Sequence, residues 1–387
     1  MTDKKLYLTR AQLISELGRC LGCKSKPCPV NCNPQEFIAK AKANDFAGAV
    51  ETITRNNPMG QTCGLICPDK FCMQACTRAG IDFPINIPRV QATILEKYRT
   101  AESAAHPKLP ANGKKVAVIG AGPAGIAATA ELSRLGYRIT LFESFEKIGG
   151  ALNLIPDKRL PFEVIAKDWS FIDDPDMIEL RLNTPVNNPA ALLEQDFDGV
   201  IVATGEPEGI NLGIDGEEHA VSYLDYLRHP EHYAARGNIA VIGGGAVATD
   251  CALTAVNNGA ENVEMFVRRR VSDMRVTGEE RKSLLDAGVD LTTMTKIKKI
   301  GADGDYLTLY TAKNRFNRGK LEEIPDTTIA RPGFSLVIKA IGSTAPRQPD
   351  TDRVIYAGDC KHGGSTIVEA LASGKTAACS LDEKLIP

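Results

Sequence analysis

Lys115-Val-Ala-Val-Ile-Gly-Ala-Gly-Pro-Ala-Gly125 is the stretch that decides how this chain is read. An apolar run, Val116 to Ile119, breaks into Gly120-x-Gly122-x-x-Gly125, with Pro123 and Ala124 between the last two glycines. An alanine-rich helix follows, then a second apolar run, Ile139 to Phe142, ending in Glu143, 23 residues after Gly120. Each glycine has its own task. Gly120 makes a tight turn, Gly122 lets a pyrophosphate approach the backbone, and Gly125 lets the helix pack closely on the strand. Free N–H groups and the helix dipole would hold the phosphate charge, and Glu143 stands where an adenosine ribose expects a carboxylate. A glycine triplet alone is common. Bracketed by strand, helix, strand and acid, it predicts a dinucleotide-binding βαβ unit.

The totals leave room for more than one such unit. At 387 residues the length prior is about two to three domains. Hydrophobic content of 43% supports buried cores, and a net charge of −2 with pI near 6.3 argues against nucleic acid as a partner. The opening residues MTDKKLYLTR hold no apolar run of the signal-peptide kind. No stretch approaches the roughly 18 apolar residues of a membrane span. The expectation is a cytoplasmic protein with no membrane partner.

Eight of the 11 cysteines fall between Cys20 and Cys76. In a reducing compartment, thiols so crowded point to metal rather than to disulfides. Ahead of them, Thr9-x-x-Gln12 predicts a capping box, and Leu13, Leu17 and Leu21 keep one apolar helical face. Further helices are predicted around Gln35 to Ala43 and Asp45 to Arg55. The thiols come as Cys20-x2-Cys23-x4-Cys28-x3-Cys32 and Cys63-x3-Cys67-x4-Cys72-x3-Cys76. Structural zinc favours paired Cys-x2-Cys knuckles, and the second group has none. Irregular spacing suits iron–sulfur clusters, which also exchange ligands between groups. A non-catalytic, zinc-stabilised nucleotide-binding protein is the alternative of a different class.

Three blocks, Arg19-Cys20-Leu21-Gly22-Cys23, Asn57-Pro58-Met59-Gly60 and Cys63-Gly64-Leu65-Ile66-Cys67-Pro68, resemble the N-terminal domain of the dihydropyrimidine dehydrogenase family. Pro84-Ile85-Asn86-Ile87, followed by Gln91, does so too. Glutamate synthase small subunits belong to the wider family. The Cys67-x4-Cys72 gap and the glutamine at 91 set this chain nearer the pyrimidine-type branch. The resemblance implies an α-helical domain with two [4Fe–4S] clusters and crossed ligation. Cys20, Cys23, Cys28 and Cys76 would hold one cluster; Cys32, Cys67, Cys72 and Gln91 would hold the other. Cys63 matches a cysteine that is not a ligand. A neutral amide in place of a thiolate makes its site less negative, which alone raises the potential.

Thr100 to Gly113, poor in large apolar residues, reads as a linker. Past Glu143, Gly149-Gly150-Ala151-Leu152 and Ile155-Pro156-x-x-Arg159-Leu160-Pro161 resemble the run beside the flavin in the same family, with Leu154 where a glycine is usual. That implies Gly150, Leu152 and Arg159 as flavin contacts. No cysteine occurs from Gly149 to Asp250, which excludes the disulfide-reductase version of the fold. Val200 to Val202 ends in Ala203-Thr204-Gly205, the crossover turn of flavoproteins with two dinucleotide folds. Ile239 to Ile242 then runs into a second fingerprint, Gly243-x-Gly245-x-x-Ala248, with Ala246 inside it. The next strand, Val263 to Val267, ends in Arg268-Arg269-Arg270 instead of an acid. A carboxylate there would bond a 2′-hydroxyl and repel a 2′-phosphate; arginines invert the choice. By the resemblance, Arg268, Arg269 and Arg275 also match NADPH-phosphate ligands, so NADPH is expected over NADH. Ser335 to Gly342 returns the chain, and Val354 to Asp359 is the closing flavin motif. Gly358 makes its turn, Asp359 is implied on the ribityl chain, and a helix starting near Thr366 aims its N-terminus at the flavin.

The expected fold is α/β: an α-helical bis-[4Fe–4S] domain (1–112) followed by two Rossmann-like domains. The NAD(P)H domain (237–342) is inserted in the FAD domain (113–236 and 343–387). The expected function is an electron-input flavoprotein subunit that oxidises NADPH through FAD. Two clusters would then carry electrons to an FMN-containing partner in a hetero-oligomer. A split dihydropyrimidine dehydrogenase fits best, and glutamate synthase or another reductase complex is the alternative within the class. In dihydropyrimidine dehydrogenase an FMN barrel and a ferredoxin-like domain follow the matching region. Neither follows here, which is why a partner is expected. No catalytic side chain is needed, since the flavin carries the hydride chemistry. The five histidines show no metal-ligand spacing, and Cys251 reads as a packed core residue.

Overall fold

The computed structural model describes residues 6–24, 27–68, 70–206, 208–233 and 236–386. It comprises two compact units. One is Met1–Asn153, Asp157–Pro207 and Ala345–Pro387; the other is Leu154–Pro156 and Glu208–Thr344.

The first unit opens with helices α1 (Arg10–Arg19), α2 (Pro34–Lys42), α3 (Phe46–Thr54), α4 (Gly60–Ile66), α5 (Ile87–Tyr98) and the short α6 (Ala101–Ala104). Local chemistry sets their starts. Thr9 and Gln12 close the expected capping box, while Asn33, Asp45 and Asn86 accept N–H bonds at the heads of α2, α3 and α5. Leu13, Leu17, Phe37, Ile53 and Leu95 form their shared core. Next come β1 (Lys115–Ile119), α7 (Pro123–Arg134), β2 (Arg138–Phe142), α8 (Phe162–Trp169), β3 (Ile178–Arg181) and β4 (Gly199–Val202).

The chain then builds the second unit. It contains β5 (Glu208–Gly209), β6 (Val221–Ser222), α9 (Tyr223–Arg228), β7 (Asn238–Ile242), α10 (Ala246–Asn257), β8 (Asn262–Val267), α11 (Gly278–Asp286) and β9 (Asp290–Thr293). The strands β10 (Thr295–Asp303), β11 (Tyr306–Asn317), β12 (Lys320–Glu323), β13 (Ile329–Lys339) and β14 (Ser343–Thr344) complete it. The return segment adds β15 (Val354–Tyr356), α12 (Asp359–His362) and α13 (Ile367–Leu385) to the first unit.

The first sheet runs β15-β4-β1-β2-β3, parallel throughout. Its outermost strand β15 is added after the whole second unit has been made, so one dinucleotide fold is inserted in the other. In the second sheet β13, β7, β8 and β9 are parallel, and β11 and β10 pair antiparallel at one edge. Residues Val116 to Ile119 of β1 are all buried, which explains an apolar run with no alternation.

The segment Thr100 to Gly113 is not a free linker. It holds α6, and the N–H groups of Leu109 and Asn112 donate to the carbonyls of Arg134 and Gly136 at 2.8 and 2.9 Å. Backbone bonds of this kind leave no mark on composition, which is why the segment reads as a spacer.

One buried cluster joins the cysteine-bearing helices to the first sheet's layer. α4 has no side-chain cap of its own. Asp168 of α8 supplies it, accepting the N–H groups of Gln61 and Thr62 at 3.3 and 2.8 Å. The same carboxylate accepts Arg99 Nη1 at 2.6 Å, and both side chains are 0% exposed. Arg99 also donates to Gln61 Oε1 at 2.9 Å and lies 4.1 Å over the Phe171 ring. Asp168→Ala leaves a buried guanidinium unpaired, a loss of about 3–5 kcal/mol. Hydrogen exchange at the Gln61 and Thr62 amides should accelerate by roughly two orders of magnitude or more. Unchanged exchange would remove the cluster from its role.

Candidate functional site

The thiols gather along one groove of the helical region. Cys20 follows the end of α1, and Cys20, Cys23, Cys72 and Cys76 line a common small cavity with Ile38 and Ile85. Cys28 hydrogen-bonds with Cys32, and that bond draws the Cys28 thiol down to about 7. As the other member of that pair, and buried, Cys32 is pushed up. Burial also pushes up Cys67, beside Cys72 and Cys28, and lifts Cys72 to about 12. Cys72 thus stands between the two sets.

Buried thiols of this kind tolerate the thiolate form only where bound metal supplies positive charge, so the donor set fits a metal centre. A zinc site needs its sulfurs about 3.8 Å apart, given Zn–S bonds near 2.3 Å. Among the described residues, no three of these thiols lie within 4.8 Å of one another. Cys63 is 2% exposed, and its Sγ lies 3.7 Å from Asn57 Oδ1 as a hydrogen-bond donor. Gln91, on α5, is buried, and its amide nitrogen donates to the Gly60 carbonyl at 2.6 Å. That bond orients the amide and leaves Oε1 on its other side.

Separate segments converge on the N-terminus of α7. Gly120 has φ +99°, and a Cβ there would come 2.5 Å from the Ala203 carbonyl, so the Ala203-Thr204-Gly205 turn packs directly on it. A Cβ on Gly125 would lie 1.8 Å from the Gly120 carbonyl. A Cβ on Gly150 would lie 3.0 Å from Gly122 Cα, and one on Gly358 would lie 2.8 Å from Ala124 Cβ. Gly122 differs: the nearest atom to an added Cβ is 3.9 Å away. The protein itself needs glycine at 120 and 125, whereas at 122 the open space is a cradle that a Cβ would fill. α7 has Pro123 in its first turn and no side-chain cap, so its leading N–H groups are left for an anion. These observations fit a flavin dinucleotide.

The flanking residues have defined partners. Glu143 is 5% exposed; one oxygen accepts the Ala121 N–H at 2.8 Å and the other accepts the Ser144 hydroxyl and the Phe145 N–H. The carboxylate therefore braces the glycine loop. Asp359 accepts the Ser365 hydroxyl, and burial pushes its carboxyl up from the ordinary value. Thr366 caps α13 in a box with Glu369, whose carboxylate accepts the Thr366 N–H and hydroxyl at 2.9 and 2.7 Å. Leu152 is buried and Arg159 half-buried. Gly342 belongs to the second unit, where its carbonyl accepts the Ile210 N–H at 3.0 Å.

The second fingerprint repeats the pattern. A Cβ on Gly243 would lie 2.2 Å from the Ala340 carbonyl, while Gly245 has nothing within 4 Å. Ala246 begins α10, which has no side-chain cap, and Ala248 is wholly buried against the strand. Arg275 joins this loop through its backbone, its N–H donating to the Gly244 carbonyl at 3.1 Å. Arg268, Arg269 and Arg275 are exposed. Arg270 is occupied otherwise, bonded to Asp273 at 2.9 and 3.0 Å and lying 4.6 Å over Phe316. Cys251 is 0% exposed in the core of this unit.

Two features escaped the sequence. Asn57 as the partner of Cys63 carries no spacing signal. His229, Glu231 and His232 bring their ligand atoms within 4.8 Å of one another on an exposed turn, through the attraction of Glu231 for both rings. Among the described residues no helix is long and apolar enough to cross a membrane.

Residues 1–103 match the family described as dihydropyrimidine dehydrogenase domain II, 4Fe-4S cluster. Residues 118–169 match the NAD(P)-binding Rossmann-like domain, and 175–374 the pyridine nucleotide-disulphide oxidoreductase family. The NAD-dependent dihydropyrimidine dehydrogenase subunit PreT of Escherichia coli (strain K12) is 31% identical over 389 residues, covering 94% of this chain and 92% of that one. The NADP(+)-dependent formate dehydrogenase subunit beta of Moorella thermoacetica is 26% identical, covering 93% of this chain and 59% of its own. Among solved structures, FprA of Mycobacterium tuberculosis in complex with NADPH shares the fold. Its TM-score is 0.61 at 17% identity, over 72% of this chain and 85% of that one. Helical thiol domain, paired glycine loops and full-length similarity agree: the chain is an oxidoreductase and belongs to the family of the PreT subunits of NAD-dependent dihydropyrimidine dehydrogenase.

Proposed function

We propose that this chain is the electron-input subunit of a split dihydropyrimidine dehydrogenase, taking hydride from NADPH onto FAD and delivering electrons through two [4Fe–4S] clusters to an FMN-containing partner. The observation that carries the reading is the pair of glycine loops whose middle positions, Gly122 and Gly245, are open while their neighbours are tightly packed. Two such cradles on one polypeptide call for two dinucleotides. When bound, FAD supplies the change from two-electron to one-electron chemistry that a nicotinamide cannot make. The residues do the rest. The N-terminus of α7 and the backbone at Gly122 would hold the pyrophosphate, Glu143 would keep the loop in shape beside the ribose, and Asp359 would orient the ribityl end. Gln91 Oε1, Cys32, Cys67 and Cys72 would hold one cluster; Cys20, Cys23, Cys28 and Cys76 would hold the other. Cys63, engaged with Asn57, would hold neither. That partition requires Cys28 and Cys72 to turn toward opposite partners.

Exposed arginines at 268, 269 and 275 support NADPH over NADH, since each can pair with a 2′-phosphate. The PreT relatives are named NAD-dependent, which favours NADH as the second reading; the Moorella protein is named for NADP(+).

Anaerobic purification tests the whole assignment. The chain should be brown-yellow, hold iron, sulfide and FAD, and bleach on adding NADPH. A colourless protein would sink the proposal. Gly122→Val should fold and keep its iron yet lose the flavin; a yellow variant would contradict the cradle. Arg269→Glu should raise the KM for NADPH roughly tenfold or more while changing that for NADH less than about twofold. Equal effects would remove that arginine from phosphate recognition. Cys63→Ser should leave the iron content unchanged, and loss of iron would refute its exclusion from the ligand set. A partner that copurifies, contains FMN and reduces uracil or thymine would identify the complex.

A further inference from the structure

A cavity of about 310 Å³ lies within the first unit, where the cysteine-bearing helices meet α7 and α13. Its α7 wall, from Ala127 to Arg134, is the C-terminal part of that helix, whereas the glycine loop is at the other end. At about 1.5 Å per residue, Ser133 stands roughly 15 Å along the axis from Pro123. Small side chains leave the space open. Ala101, Ala104, Ala127 and Ala130 line it, with Phe171 and Leu371.

Polar groups at this wall lack partners. Ser133 is 3% exposed, and among the described residues its hydroxyl has no hydrogen bond. The same holds for the buried Nε of Arg134 and of Arg99, whose side chain is 0% exposed. A hydroxyl and two guanidinium N–H groups left so are costly to bury, which marks this wall as loosely packed.

Charge is uncompensated at the same place. Arg134 and Lys375 share one carboxylate, Glu131, at 3.0 and 3.7 Å. Lys375 also donates to Asn56 Oδ1 at 3.1 Å, a neutral partner. The remaining cations are matched: Arg99 by Asp168, Lys108 by Asp174, and Arg55 together with Lys40 by Glu51 and Glu36. Burial and the nearby Arg134 hold His106 below the usual imidazole range, so it adds no charge at neutral pH. Among the described residues, one positive charge therefore remains beside the alanine-lined part of the chamber.

We propose that this cavity binds a small organic carboxylate. Its head would lie between the Arg134 and Lys375 side chains, and its apolar body on the alanines and Phe171. A single uncompensated charge matches a monoanion better than a phosphate dianion. The site shares no residue with the glycine loops or the thiol groove, so it stands apart from the electron path proposed above.

Titration calorimetry on the holoprotein tests this with benzoate, benzyl alcohol as its neutral analogue, and phenyl phosphate. Benzoate should bind saturably at one site, and the other two should bind roughly tenfold more weakly or worse. Lys375→Gln and Arg134→Gln, both on partly exposed side chains, should each weaken benzoate by about tenfold with thermal unfolding unchanged. Ala130→Phe, which fills the chamber, should abolish binding. Absence of saturable benzoate binding, equal binding of the alcohol or the phosphate ester, or indifference to both charge substitutions would each overturn the proposal.

Discussion

The buried contact between Asp168 and Arg99 is the constraint on which the placement of the thiol region depends. A fully buried ion pair is not a strong net stabiliser, because desolvation offsets most of the attraction. Its value here is specificity. Among the described residues Asp168 is also the side chain that caps α4, and α4 leads from Cys63 to Cys67. An aspartate from the Rossmann layer therefore sets where a thiol-bearing helix begins. Any shift of one layer relative to the other would leave the guanidinium, the carboxylate and two amide N–H groups unsatisfied together. Lys167 adds an exposed bond to Glu96 at 2.8 Å, and Glu96 in turn accepts Gln61 at 2.6 Å, so the contact extends to the surface.

The glycines divide into two kinds on physical grounds. Gly120, Gly125 and Gly243 are required by the protein's own backbone, which a methyl group would strike. Gly122 and Gly245 have room for a side chain, so the requirement there comes from what binds. The closing helix uses the same economy of space. A Cβ on Gly374 of α13 would lie 1.9 Å from the Ala124 carbonyl, so α13 rests against the start of α7. Strand β15 and helix α13 thus complete a site whose first half was laid down more than two hundred residues earlier.

Electrostatics is organised locally, as the near-zero overall charge requires. All three consecutive arginines after β8 are exposed; Arg270 is neutralised by Asp273 and lies over Phe316. Arg275 reaches the same neighbourhood because its backbone bridges to the glycine loop. In the thiol groove the situation is reversed. Burial raises the Cys63, Cys67 and Cys72 thiols, so bound metal would supply the balancing charge.

Much of the fold is legible in the sequence because its signals are local. Strand, tight turn and helix are encoded within a dozen residues at Gly120 and again at Gly243, and the order of the motifs already implies an inserted domain. Capping at Thr9 is equally local, and Cys251 sits in the core as its helical setting predicts. What only the tertiary structure decides are relations between distant positions. Asp168 caps a helix more than a hundred residues away, Thr100 to Gly113 is held by backbone bonds that composition does not record, and Glu143, expected at an adenosine ribose, braces the glycine loop through the Ala121 N–H. Thiol spacing names the donors but not which of them meet, since Cys20 and Cys23 come to line one cavity with Cys72 and Cys76 only in the folded chain. Periodicity and turn chemistry act through neighbours in the chain; caps, charge pairs and cavities arise only once remote segments have been brought together and water has been excluded between them.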